Sequence, residues 1–362
     1  MAKFKLKDLS RSKLEYGSGS AACAFDGNVR YVRITDITDD GNLASDIVSP
    51  SYYEEKHVLQ DGDILFARTG ATVGKTFLYR NKYGKCVYAG FLIRMVPDRS
   101  IVLPDYIYYF TKSPRYRDFV AANMKVVAQP NINAKQYGDL EIDVPSFKEQ
   151  QSIVDKLVKI DELIALRKEQ LAKLDQLVKS RFIELFDGKH ETKPLQAVCE
   201  ELFAGGDVKK DKSSDTQSEE YPYPIYTNGE KDNGLYGYTS IVRVAKEAVT
   251  ISGRGTIGFT CLRKEPFYPA VRLIVAVPKQ ELVNGCYLQH FIQSKNYGGQ
   301  GASIPQLTVP MIKDEPIPVP PMELQKQFTA FVEETDKSKL AIQQSLDKLE
   351  LLRKSLMQEY FG

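Results

Sequence analysis

The chain has no tryptophan, only three histidines and only five cysteines, and each scarcity removes a class of chemistry. His57, His190 and His290 stand far apart, with no spacing that would gather them round a zinc ion. Cys23, Cys86, Cys199, Cys261 and Cys286 are odd in number, scattered and without a Cys-x-x-Cys pair, so they read as reduced, mostly buried thiols. No apolar run approaches the roughly 18 residues a membrane span needs, and no charged-then-apolar leader opens the chain. The expectation is a soluble, cytoplasmic protein. A surplus of one charge is missing too: 49 Lys+Arg face 47 Asp+Glu, a net of +2. Bulk electrostatics therefore leave nucleic-acid binding open, to be decided by local clusters of Lys and Arg or by a partner that supplies phosphate contacts.

Catalytic signatures are absent as well. Gly70-Ala-Thr-Val-Gly74-Lys75-Thr76 resembles a nucleotide-binding loop, but that motif needs four residues between its glycines and a helix after it. Here three residues intervene and Phe77 to Arg80 reads as strand. No Asn- or Asp-Pro-Pro-aromatic motif of an adenine methyltransferase occurs, since Pro320-Pro321-Met322 follows Val319, and no Gly-x-Ser-x-Gly elbow occurs. The chain is expected to catalyse nothing alone and to need no cofactor or metal.

What the sequence does have is an internal repeat. Gln129 to Phe186 lies on Ile304 to Phe361 at a constant offset of 175 with no gap. Pro130 falls on Pro305, Asp139 on Asp314, Ile142 on Ile317, Val144-Pro145 on Val319-Pro320 and Gln150 on Gln325. Further on, Asp161 meets Asp336, Lys173-Leu174 meets Lys348-Leu349, Lys179-Ser180 meets Lys354-Ser355, and Phe186 meets Phe361. Upstream the echo is looser. Tyr106 to Phe110 resembles Tyr287 to Phe291, and Asp63 to Gly74, with Arg68 and Gly70, resembles Val249 to Gly258, with Arg254 and Gly255. At 362 residues the chain has room for two or more domains.

The matched segments carry helical periodicity. Ile153, Leu157, Ile160, Ile164, Leu171, Leu174, Val178 and Leu185 keep the alternating three-and-four spacing of a coiled-coil seam. Phe328, Val332, Ile342, Leu346, Leu349, Leu352 and Leu356 make a similar stripe, weakened around Lys339. Prolines precede both segments, and Gly188 and Gly362 follow them as stop signals. Each helix is then about 35–40 residues, or roughly 55–60 Å long. Most of these leucines are packing residues. Their arrangement predicts two antiparallel helices joining two diverged globular regions about an approximate two-fold axis. Duplex DNA shares that local symmetry, and two-fold proteins read half-sites about one helical turn apart. Two diverged regions would read two different half-sites, a bipartite asymmetric target.

Gly62 to Gly70, the Gln129-Pro-Asn-Ile-Asn133 stretch, the Val144-Pro145-x-x-x-Glu149-Gln150-Gln151 helix entry and their duplicated order resemble type I restriction-modification specificity subunits over essentially the whole chain. That resemblance implies a specificity subunit that binds double-stranded DNA through two target recognition domains. It also implies that the helices dock methyltransferase subunits, two of them by expectation, and that a motor-nuclease subunit joins for cleavage. The expected fold is α+β: target recognition domains at 1–146 and 189–321, helical spacers at 147–188 and 322–362.

Reading bases in the major groove needs Arg for guanine and Asn or Gln for adenine. In the first half Arg33, Thr35, Arg68, Thr69, Gln129, Asn131 and Asn133 supply such groups in expected loops, and Lys75 beside Gly74 is a phosphate candidate. In the second half the counterparts are Thr227, Asn228, Ser252, Arg254, Gln306 and Thr308. Each alone is more readily a turn-stabilising or solvated side chain; the cluster is the signal. The aromatics Tyr106, Tyr108, Tyr109, Phe110 and Tyr116 are expected in a domain core, and the charged loop 207–220 is expected to be a solvated insertion. A coiled-coil scaffold with two protein- or glycan-binding domains is the competing reading. It gives no reason for polar loops at matching positions in both halves. A separated fragment of a larger single-chain enzyme is disfavoured by the shared Phe-terminated end of both repeats.

Overall fold

The structure, a computed structural model, describes residues 2–124, 131–188, 190–208, 210–295, 297 and 306–362. The chain forms two compact units, Met1–Glu169 with Gln343–Gly362, and Gln170–Ile342. Each mixes short strands with helices, and the two share the strand order of their main sheet.

In the first unit a four-stranded antiparallel sheet has the order Glu15–Tyr16, Leu92–Met95, Ile64–Ala67, Thr76–Leu78. The central strand Ile64–Ala67 is buried on both faces, which is why it reads as an apolar run rather than an alternation. In the second unit the order is Cys199–Ala204, Ile274–Pro278, Ala248–Ile251, Thr260–Arg263, again antiparallel, and Ala248–Ile251 is likewise buried throughout. Each unit adds a parallel pair: Arg30–Val32 with Cys86–Tyr88, and Tyr223–Tyr226 with Tyr268–Pro269. Each also has an antiparallel pair beside its long helix, Ala2–Lys5 with Glu141–Val144 and Thr192–Pro194 with Pro316–Pro318. The repeat seen in the carboxy-terminal part of each half therefore extends through the diverged regions.

The two long helices are Phe147–Phe186 and Met322–Phe361. Ser146 opens the first with a capping box: Glu149 Oε2 accepts from the Ser146 N–H at 3.0 Å and from its hydroxyl at 2.7 Å. Within the first unit the helices run antiparallel, as Lys156 pairs with Tyr360, Asp161 with Arg353 and Lys168 with Glu350. The same sense holds in the second unit, where Asp175 pairs with Lys339 and Phe182 packs on Phe328. Of the expected seam, Ile153, Leu157, Ile160, Val178, Phe328, Val332 and Leu346 are buried. Leu352 is instead 47% exposed, and Met357 and Phe361 take the buried face of that last stretch. Phe361 does so by packing on Tyr106 and Phe110.

One glutamine fastens each helix to its own unit. The Gln150 side chain accepts from Leu103 N at 2.9 Å and donates to Ile101 O at 3.2 Å and Pro145 O at 2.9 Å. Gln325 repeats this with Asn284 N at 2.9 Å, Leu282 O at 2.9 Å and Pro320 O at 2.9 Å. Tyr106 donates to Asp143 O and Tyr287 to Pro318 O, the equivalent carbonyl. Tyr106, Tyr109, Phe110 and Tyr116 are buried, as core aromatics should be.

Candidate functional site

In each unit several of the polar candidates gather where the central buried strand ends. In the first, the chain leaves Ile64–Ala67 and turns through Gly70–Thr72 into Thr76–Leu78. Arg68 and Thr69 lie at this exit and are zipped to the segment at 131–132. Thr69 bridges Asn131, and Arg68 O accepts from Ile132 N at 2.9 Å. The Arg68 guanidinium donates through Nε to Asn131 Oδ1 at 3.2 Å and sits 4.6 Å over the Tyr16 ring, an arrangement that fixes the fork and engages only one of its N–H groups in a hydrogen bond among the described residues. Tyr16 is 42% exposed, and Phe91, whose carbonyl accepts from Arg68 N, is 60% exposed.

The second unit builds the same pairing from a shifted register. Gly253 O accepts from Leu307 N at 2.8 Å, so Gly253 occupies the backbone place of Arg68, and Arg254 stands one residue further along. A Cβ on Gly253 would lie 2.6 Å from Leu307 O, which excludes any side chain there. Arg254 nevertheless finds the equivalent amide, donating to Gln306 Oε1 at 2.9 Å. The sequence reading paired Arg68 with Arg254. Their backbones are not equivalent; their side-chain partners are.

Other candidates are held by the protein itself. Arg33 donates to Asp36 at 2.7 Å and Asp46 at 3.1 Å. Lys75 pairs with Asp39 at 2.8 Å and donates to Ile37 O at 3.2 Å. Asn133 caps the short helix Ala134–Gly138, accepting from Gln136 N at 2.9 Å. Asn228 uses both ends of its amide, accepting from Gly253 N at 2.7 Å and donating to Val271 O at 2.7 Å. Ser252 is buried and accepts from Gly229 N at 3.1 Å. Thr35 is exposed; Thr69, Thr227 and Thr308 are half-buried, Thr308 standing at the start of Val309–Ile312 as Asn133 does at its helix. Gln129 lies outside the described residues, as do Pro130, Ile304 and Pro305 of the repeat.

Sequence reasoning missed Tyr16, Phe91, Val271 and Arg272. The last two form a tight turn whose Val-Arg tip carries none of the Asn-Gly signature of such turns. Below it, Arg263 lies 3.6 Å over the Tyr226 ring, and burial pushes the Tyr226 phenol up to about 12.

The glycine turn beside Lys75 runs straight into strand Thr76–Leu78, with Thr76 buried against Thr111, so it has no helix start to receive a nucleotide phosphate. Among the described residues no group of three or more His, Cys, Asp and Glu could hold a metal ion, and no helix is long and apolar enough to cross a membrane.

A family model described as the type I restriction modification DNA specificity domain matches residues 1–176 and 189–351. A type I specificity subunit of Mycoplasma pneumoniae is 29% identical over 212 residues, which are 56% of this chain and 57% of that protein. A second from the same organism is 27% identical over 295 residues, 75% of this chain and 84% of that one. The crystal structure of the type I restriction-modification system S subunit from M. genitalium superposes with a TM-score of 0.61 at 16% identity, covering 100% of this chain and 96% of that one, a likeness of fold. Two copies of one α+β architecture, two long helices and a family match over both halves lead to one assignment: this chain belongs to the specificity subunits of type I restriction-modification systems, a non-catalytic family.

Proposed function

We propose that this subunit selects the DNA sequence at which a type I complex acts in the cytoplasm, each unit reading one half of a bipartite, asymmetric duplex target. In this reading residues 1–146 and 189–321 are the two target recognition domains. Residues 147–188 and 322–362 are the helical spacers on which two methyltransferase subunits dock, and a motor-nuclease subunit completes the complex. The observation that carries the reading is the duplicated arginine–amide pair, Arg68 with Asn131 and Arg254 with Gln306, at the same end of the same sheet in both units. Guanidinium and carboxamide are the groups that distinguish guanine and adenine in the major groove. Because the two pairs differ in composition and register, the halves read different sequences. Docking on the helices is supported by apolar side chains left uncovered there, among them Leu351 at 69%, Ile183 at 61% and Leu340 at 61% exposure.

The test is methylome sequencing of a methylation-free host expressing the cognate methyltransferase subunit with and without this chain. A gapped two-part motif that appears only with the chain supports the proposal. No new methylation from a complex shown to assemble would sink it and favour a scaffold.

A further inference from the structure

We propose that Arg272 is a base-reading residue of the second unit, carried on a tight turn between two sheets and held in a strained backbone; this rests on the DNA-specificity reading above. Ala270 O accepts from Leu273 N at 3.0 Å, and between them Val271 and Arg272 have φ of 52° and 60°. Two successive left-handed residues define a turn that Asn and Gly occupy with least strain, and that a β-branched residue such as valine resists. Strain of this kind persists only where surrounding bonds over-determine it, and it gathers at functional positions.

Here the surrounding bonds are explicit. Val271 N donates to Gly206 O at 2.8 Å, Arg272 N to Gly205 O at 3.1 Å, and Ala270 N to Tyr226 O at 2.8 Å. Asn228 Nδ2 donates to Val271 O at 2.7 Å, and the same amide accepts from Gly253 N, next to Arg254. Gly205 must be glycine, because a Cβ there would lie 2.4 Å from Pro269 O. One short network thus fixes the tip beside the Arg254–Gln306 pair.

What the tip offers is an exposed guanidinium. Within the second unit Arg181, Arg243, Arg254 and Arg263 donate to Glu184, Glu201, Gln306 and Thr250. The Arg272 side chain is exposed and has no hydrogen bond or ion pair among the described residues. The first unit supplies the comparison. There Ala89 O accepts from Leu92 N at 2.8 Å and Gly90 N donates to Ser18 O at 2.7 Å, the equivalent bonds, and Phe91 occupies the place of Arg272. These bonds are kept, but Gly90 and Phe91 are not left-handed, so the turn differs in hand as well as in the side chain it presents, a forked donor in one unit and an apolar ring in the other. That is how a position that discriminates between half-sites would vary, whereas a phosphate contact would call for a cation in both.

The experiment uses the full subunit assembled with its methyltransferase subunit, the methylated motif as readout, and a melting curve as the folding control. Arg272→Ala should relax one base position in one half-site, losing about tenfold to a hundredfold discrimination there, with the other half unchanged. Arg272→Lys should relax the same position, since an ammonium lacks the fork. The double variant Val271→Asn, Arg272→Gly should melt at a higher temperature and still be relaxed, which separates reading from folding. A wild-type motif from all three variants overturns the inference. So does weaker methylation spread evenly over all sites and restored by lysine, which marks a phosphate contact. If the unmodified complex itself yields no gapped motif, the specificity reading fails, and the role of Arg272 fails with it.

Discussion

Gln150 and Gln325 are fully buried, yet every polar atom of each amide has a partner, and those partners are backbone groups at the end of a helix or strand. A buried amide in that setting cannot be removed cheaply, because the backbone N–H and carbonyls it served are left without water or protein. Gln150→Ala should cost about 2–4 kcal/mol in urea unfolding of the first unit, from the orphaned groups plus the cavity. Gln151→Ala, one residue on and exposed, should stay within about 0.5 kcal/mol. A second residue-scale prediction concerns His290. Burial pushes its imidazole down to about 4, with Lys339 adding to the shift and Asp336 opposing it; Phe182 and Phe328 pack against the ring. The folded value lies below the ordinary 6.5, so the unfolded chain binds the proton first. The stability this neutral histidine contributes is complete above about pH 6.5 and is lost as the pH falls toward about 4. Thermal melts across that window should therefore fall more steeply for the wild type than for His290→Leu; equal slopes would contradict the assignment.

At the scale of elements, the long helices are held by polar cross-links as well as by their seam. Asp161 accepts from Arg353 Nε at 2.5 Å and from the Tyr109 hydroxyl at 3.0 Å, joining both helices to the helix Pro104–Phe110. A double-mutant cycle on Asp161→Ala and Arg353→Ala should return a coupling of about 0.5–1 kcal/mol, shrinking with added salt because both groups are partly exposed. These helices were legible in the sequence because their periodicity is a property of single segments. The antiparallel sheets were not: their strands are two to six residues long and, apart from the local pairs Ile64–Ala67 with Thr76–Leu78 and Ala248–Ile251 with Thr260–Arg263, pair across wide separations, so their order rests on tertiary contacts. The strand order of the main sheet nevertheless repeats where the residues do not, and so do the Tyr106 and Tyr287 hydroxyls on equivalent carbonyls. Candidate residues were legible by chemical type but not by role. Arg33, Asn133 and Asn228, read as base contacts, and Lys75, read as a phosphate contact, each have an intramolecular partner that spacing alone does not reveal. The Val271–Arg272 tip has no turn signature at all and depends on its imposed backbone.

For the whole molecule the central claim is division of labour: one chain, two copies of one architecture, two separately read half-sites. A single binding surface formed by the whole chain would lose its entire motif when either arginine–amide pair is broken. Independent readers would not. Arg68→Ala and Arg254→Ala, each folded and each assembled with the methyltransferase subunit, should give methylomes relaxed in different halves of the target, with the spacing between halves unchanged and about tenfold or more discrimination lost at the affected position. Both substitutions degrading the same half, or each degrading both halves together, would contradict the account.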